Sequence, residues 1–203
     1  MQIIFAGPVL GKFGRIVLYI FLAGLGLAIG AYTAWTGAAK IPSKETGQRV
    51  TVGQWSSDYS IGTTATDPKT RAMIARRGIM ALPRSEAVYF TTTQDADGDV
   101  LRDSCTYELS GQNDMGALWW SITLYDEADF LPKMAGNYSI NSDQFGAADN
   151  FNIGISKDGD LSHRDAGNFD LTLRLYKPQD WVISEPSRLS LPTVKRLSCE
   201  DAS

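Results

Sequence analysis

Histidine occurs once in this 203-residue chain, cysteine twice, and no acidic residue stands before Glu45. Each scarcity excludes something. A single imidazole, His163 in DLSHRDAG, leaves no histidine-rich metal site, and without a GxSxG elbow it has no companion nucleophile motif. That histidine is expected on an exposed loop. Two cysteines 94 positions apart make no CxxC pair, so thiol-redox chemistry of that kind is not written here. Basic residues are too few for a nucleic-acid footprint: the formal net charge is −4 and the pI about 5.0. No nucleic-acid partner is expected. Neither a phosphate-binding loop nor a metal-ligand cluster is present, and no cofactor is implied.

The charge that exists is unevenly placed. Residues 1–39 hold Lys12 and Arg15 and no acid, a balance of +2, while residues 40–203 hold 17 bases and all 23 acids. Between Arg15 and Lys40 run 24 residues without any charge, IVLYIFLAGLGLAIGAYTAWTGAA. As a helix this stretch measures about 36 Å against a hydrocarbon core of about 30 Å. Tyr32 and Trp35 near one end suit the headgroup level. A cleaved signal peptide would carry a shorter apolar region, so an uncleaved signal anchor is expected. Lys40, Lys44 and Arg49 on the far side mean that counting bases does not orient the span. A short, basic, acid-free tail stays inside, however, while a long domain translocates largely regardless of charge. The reading is a single-pass protein of the bacterial inner membrane with a cytoplasmic N-terminus and a periplasmic body. Residues 1–15 form the tail, 16–39 the transmembrane helix, 40–49 a polar linker and 50–203 one β-sandwich domain.

Gly26, Gly30, Ala34 and Ala38 recur every fourth residue and place small side chains on one helical stripe. Such a stripe lets a second helix approach closely, although glycine and alanine are common in membrane helices anyway. The expected partners are the lipid bilayer and integral membrane subunits packed against this stripe.

Past the linker, VTVGQWSSD alternates loosely as one strand. A helix is expected next: Asp67 caps it, Pro68 opens it, Ala72, Ala75, Ile79 and Leu82 share a face, and Pro83 ends it. After Pro83 the period falls to two. EAVYFTTTQ and VLRDSCTYELS flank the turn DADGD as a hairpin. In LWWSITLYD, Trp120, Ile122 and Leu124 face one way and Trp119, Ser121, Thr123 and Tyr125 the other. FNIGIS is followed by a turn, KDGD. In FDLTLRLYKP, Phe169, Leu171, Leu173 and Leu175 oppose Asp170, Thr172, Arg174 and Tyr176. VKRLS is a last short strand. Short alternating strands separated by Gly/Asp turns predict a mainly β, antiparallel sandwich with one short helix.

The series GQWSS, DPKTRAMIA, ALPRSEAVYF, WWSITLYD, NYSI and FDLTLRLYKP resembles the DUF1214 family of bacterial proteins over roughly residues 50–199. WSITLYD and LTLRLYKP are its most specific parts. The family also occurs behind a DUF1254 domain, a position held here by the apolar segment. The resemblance implies a jelly-roll-like β-sandwich and carries no established activity.

Three constellations remain as candidate sites. Cys105 and Cys199 read as a disulfide in an exported domain, the alternative being two buried thiols. Closing so long a loop is worth about 4.7 kcal/mol in a chain-entropy picture. Asp95, Asp97 and Asp99 alternate as in a calcium loop. Gly98 and Thr106 fall where an EF-hand would not place them, so the segment reads as a turn and no metal is assigned. Trp119, Tyr125, Asp126, Tyr138 and Arg174, with Trp181 nearby in sequence, supply rings and hydrogen-bonding groups for a sugar or another planar ligand. Trp120 shares its face with Ile122 and Leu124 and is assigned to the core, the commoner use of aromatics in a sandwich. The sequence thus supports a membrane-anchored interaction protein, possessing no catalytic residue that can be named. A tethered carbohydrate- or small-ligand-binding module and a hydrolase with an unrecognised carboxylate site stand as alternatives.

Overall fold

The computed structural model describes residues 11–39, 49–59, 61, 82–126, 137–163 and 166–200. The chain divides into two units, Met1–Lys44 and Glu45–Ser203. The first contains α1 (Lys12–Ala39), a continuous helix whose stretch Lys12–Ala34 is long and apolar enough to cross a membrane. None of that stretch is buried: Phe21, Leu22, Leu27 and Ile29 all lie open. A helix apolar on every side satisfies its backbone internally and leaves its side chains to another medium.

The second unit is built from β1 (Arg49–Val52), β2 (Trp55–Asp58), β3 (Ala87–Thr92), β4 (Cys105–Gln112), β5 (Ala117–Tyr125), β6 (Ser139–Asn141), β7 (Asn150–Ser156), β8 (Leu161–Ser162), β9 (Asp170–Pro178) and β10 (Thr193–Cys199). A short helix, α2 (Asp180–Ser184), lies between β9 and β10. Six strands form the larger sheet in the order β1-β2-β3-β9-β5-β6, and four form the smaller in the order β10-β4-β7-β8. Every pairing is antiparallel except β7 with β8. The mainly β, two-sheet body expected from the alternation is present. The helix expected over Asp67–Leu82 falls almost wholly on residues outside those described.

Alternation converts directly into a core. Phe90, Ile122, Leu124, Leu171, Leu173 and Leu175 project from the larger sheet. They join Tyr107, Leu109, Ile153, Ile155 and Val194 of the smaller one in a single buried cluster. Trp120 belongs to it as expected: its ring packs 4.9 Å from Phe151, and its Nε1 donates to the Asn113 carbonyl at 2.8 Å. Trp55 is buried too and donates from Nε1 to the Pro192 carbonyl at 2.6 Å, fastening β2 to the approach of β10.

Two local expectations are corrected. VTVGQWSSD is a tight hairpin rather than one strand. Val52 opposes Trp55 across the two residues Gly53 and Gln54, and Gly53 adopts φ +57, a value that turns of this length require. DADGD is a turn, with Gln94 and Val100 bridged, but its arms do not continue as a hairpin. β3 pairs with β2 and β9, whereas β4 pairs with β10 and β7. The turn is where the chain changes sheets. Both runs bury alternate residues equally well, and alternation alone does not say in which sheet a strand finds its neighbour. Within the turn, Asp95 Oδ1 accepts from the backbone N–H of Asp97 (3.0 Å) and Asp99 (2.9 Å). Its Oδ2 has no hydrogen bond but faces Arg196 Nε at 3.5 Å. Ala96 N donates to the Val194 carbonyl on β10 at 2.8 Å.

Candidate functional site

The outward face of the larger sheet is polar where a solvent-facing sheet is expected to be, yet much of it is buried. Ser121, Thr123, Asp170 and Thr172 are each less than 9% exposed. The register explains which residues meet. On β5 and β9, Trp119 opposes Tyr176, Ser121 opposes Arg174, Thr123 opposes Thr172 and Tyr125 opposes Asp170. On β3, Tyr89 opposes Arg174 from the other side.

Arg174 is the centre of this face. It is half-buried and runs along the sheet, donating from Nη1 to Thr123 Oγ1 at 2.9 Å and from Nη2 to the Tyr125 hydroxyl. Among the described residues no carboxylate pairs with it. Thr123 shares a hydrogen bond with Ser139 at 3.2 Å, and Thr172 links Thr91 (3.2 Å) to Asp170 Oδ1 (3.2 Å). Burial pushes the Tyr89 phenol up from its ordinary value, with a backbone hydrogen bond at Leu82 opposing. Hydroxyl groups around a cation hold it in place through charge-assisted hydrogen bonds.

The predicted ligand residues are only partly gathered. Tyr125 and Arg174 touch, and Trp119 lies on the same face beyond Ser121, packed 5.2 Å from Tyr176 and donating from Nε1 to Asp143 Oδ2 at 2.9 Å. Asp126 follows Tyr125 and is half-buried and partnered. Tyr138, 40% exposed, precedes β6, where its carbonyl accepts from Leu124 N at 2.9 Å. Trp181 sits apart on α2, under the Arg188 guanidinium. Tyr89, Thr172 and Tyr176 are the members the sequence reading left out. Their signal was the shared outward parity of β3 and β9, which needed the register to become a site. Of the helix-stripe residues, Gly26 and Gly30 have nothing within 4 Å of where a Cβ would stand, and Ala34 is exposed. Ala38 lies in α1, in the same series.

A disulfide joins Cys105 to Cys199, residues directly opposed across β4 and β10. His163 is not the exposed loop residue expected. It is 1% exposed, its ring lies 5.4 Å from Phe169, and its Nε2 bonds the Cys105 carbonyl at 2.7 Å. Nδ1 has no partner. Burial lowers its pKa, so the ring is a neutral, structural imidazole bound to backbone. The sequence showed polar neighbours around His163 and missed the apolar pocket that receives it. Among the described residues, no three His, Cys, Asp or Glu side chains gather as a metal site.

A two-sheet β-body preceded by an apolar helix is the class of protein these features define. Within it, residues 86–180 match the family described as "Protein of unknown function (DUF1214)", the family that the sequence motifs resemble. That span includes WWSITLYD, NYSI and FDLTLRLYKP and excludes GQWSS and DPKTRAMIA. No curated protein matches the chain. Among solved structures, the VPA0106 protein from Vibrio parahaemolyticus is similar at 20% identity and TM-score 0.50, over 64% of this chain and 35% of its own. A putative uncharacterized protein from Burkholderia cenocepacia matches at 12% identity and TM-score 0.38, over 90% of this chain and 52% of its own. The chain therefore spans about a third and about half of these two proteins. The first likeness supports the fold of the body.

Proposed function

We propose that this is a membrane-anchored periplasmic interaction protein, an accessory subunit of a bacterial inner-membrane assembly. One observation carries the reading: α1 is apolar around its whole circumference, and none of its candidate span is buried. That surface needs lipid, a partner helix or both. In this reading residues 1–15 stay in the cytoplasm, 16–39 cross the bilayer, 40–49 link, and 50–203 fold in the periplasm, where an oxidising environment suits the Cys105–Cys199 bond. Gly26, Gly30, Ala34 and Ala38 form the face presented to integral membrane subunits. Pull-down from mild detergent tests this. Gly30→Leu should reduce partner recovery with insertion intact, while Leu25→Ile, on the opposite side of the helix from the stripe, leaves recovery unchanged. Equal behaviour of the two sinks the docking face. A C-terminal reporter active only in the cytoplasm sinks the topology.

A second reading rests on Arg174, whose half-buried guanidinium has hydroxyl partners but no carboxylate among the described residues. A tethered module holding a sugar acid or small anion against Tyr125 and Arg174 uses that charge, with Trp119, about 20 Å along β5 from Tyr125, reached only by a longer ligand. Thermal-shift screening of sugar acids against wild type and Arg174→Lys discriminates it, since lysine keeps the charge and loses the planar fork.

A further inference from the structure

The bond between Cys105 and Cys199 is asymmetric. Cys105 is 2% exposed at the start of β4, with the His163 ring bonded to its carbonyl, whereas Cys199 is exposed at the end of β10, an edge strand. The strand is irregular just before it: a register shift between Arg196 and Ser198 leaves Leu197 58% exposed. Bulges on sheet edges re-aim side chains and often border sites of chemistry. A surface cavity of about 300 Å³ opens against the same bond, lined by Cys105, Cys199, Asp103, Lys157, His163 and Glu200. Lys157 and Glu200 form an ion pair at 2.8 Å, with both side chains substantially exposed, so it is weak and readily parted.

Disulfides exchange when a thiolate reaches one sulfur in line with the bond, and access decides which sulfur is attacked. Here Cys105 is almost wholly buried and Cys199 is exposed, so an incoming thiol meets Cys199 first. We propose that Cys105–Cys199 is an exchange site that opens in one direction only, with Cys199 as the sulfur attacked by an external thiol. The incoming thiolate forms a bond to Cys199 Sγ, and the Cys105–Cys199 bond breaks. The electron pair leaves on Cys105 Sγ, which takes a proton from water. A monothiol stops there, as a mixed disulfide. A dithiol reductant carries its second sulfur onto the mixed disulfide, becoming oxidised and leaving both cysteines reduced.

The surroundings keep the strand in place when the bond opens. Val194 stays buried in the core, Ser198 Oγ bonds Thr106 Oγ1 at 2.8 Å, and Glu200 N donates to the Ser104 carbonyl at 2.8 Å. Trp55 also holds the Pro192 carbonyl. The two sulfurs therefore remain opposed, and the exchange is reversible without unfolding. This inference needs neither the proposed partner nor the topology and stands or falls apart from them.

Full-length protein in mild detergent, incubated with excess reduced glutathione under native conditions and then alkylated, tests the proposal by peptide mapping. Glutathione should sit on Cys199 and the alkyl group on Cys105. An adduct on Cys105, an even division between the two, or an adduct only after denaturation overturns it. A paired measurement uses Cys105→Ser and Cys199→Ser, each leaving one thiol. Cys199 should react with a soluble disulfide probe about tenfold or more faster than Cys105, as exposure governs access. Equal rates overturn the asymmetry. If either variant fails to fold, the wild-type map alone decides.

Discussion

α1 and β9 are both rich in leucine, and they use it in opposite ways. On β9, Leu171, Leu173 and Leu175 are fully buried, with Thr172 and Arg174 between them facing outward. On α1, Leu22 and Leu27 are 51% and 75% exposed, and no polar face interrupts the apolar surface. Apolar content therefore does not identify a core. Pattern does: period two builds a surface with one wet and one dry side, and an unbroken run has no wet side at all. The first finds its nonpolar environment within its own chain, and the second requires one from outside.

That contrast is breakable in order of size. Leu173→Ala removes a fully buried side chain from the centre of the larger sheet and should cost about 2–5 kcal/mol by urea denaturation. Leu22→Ala in α1 should leave the denaturation midpoint of the body where it was. Cys199→Ser releases a 94-residue separation and should lower stability by about 2–4 kcal/mol, read by thermal melting with the far-UV spectrum retained. Trp55→Phe keeps most of the buried ring and strips the Pro192 carbonyl of its donor, a loss of about 1–3 kcal/mol in the same assay.

The smallest effect is a pH dependence. His163 has a folded-state pKa below its ordinary 6.5 because burial disfavours the imidazolium. Well above 6.5 the ring is neutral in both states and costs nothing. As pH falls through 6.5 the unfolded chain gains a proton that the folded chain resists, so stability declines. His163→Gln should flatten the slope of stability between pH 7 and pH 5 relative to wild type, measured by urea melts at each pH.

Much of the body was legible because its strands are cleanly alternating. The parity of LWWSITLYD and FDLTLRLYKP assigned Trp120, Ile122 and Leu173 to the core correctly, and Cys105 and Cys199 were paired on compartment and number alone. The failures share a cause. Parity tells which side of a strand a residue faces, not which strand lies beside it. Hence VTVGQWSSD reads as one strand and DADGD as an ordinary hairpin loop, and nothing in the alternation sets Tyr89 of β3 beside Arg174. His163 was misjudged because its sequence neighbours are polar while its spatial neighbours, Phe169 and the Cys105 backbone, come from elsewhere in the chain.

The turn at residues 95–99 has a role that its own hydrogen bonds do not describe. β10 is the outermost strand of the smaller sheet, and an outermost strand offers unpaired backbone groups on which another molecule's strand can add. The turn folds over this border: Ala96 occupies the Val194 carbonyl, and Arg196 is engaged by Asp99 and Asp95. The carboxylates and the bend in the chain thus deny a flat template to neighbouring copies. An open border strand invites sheet-to-sheet polymerisation, and the acidic turn covers part of this one.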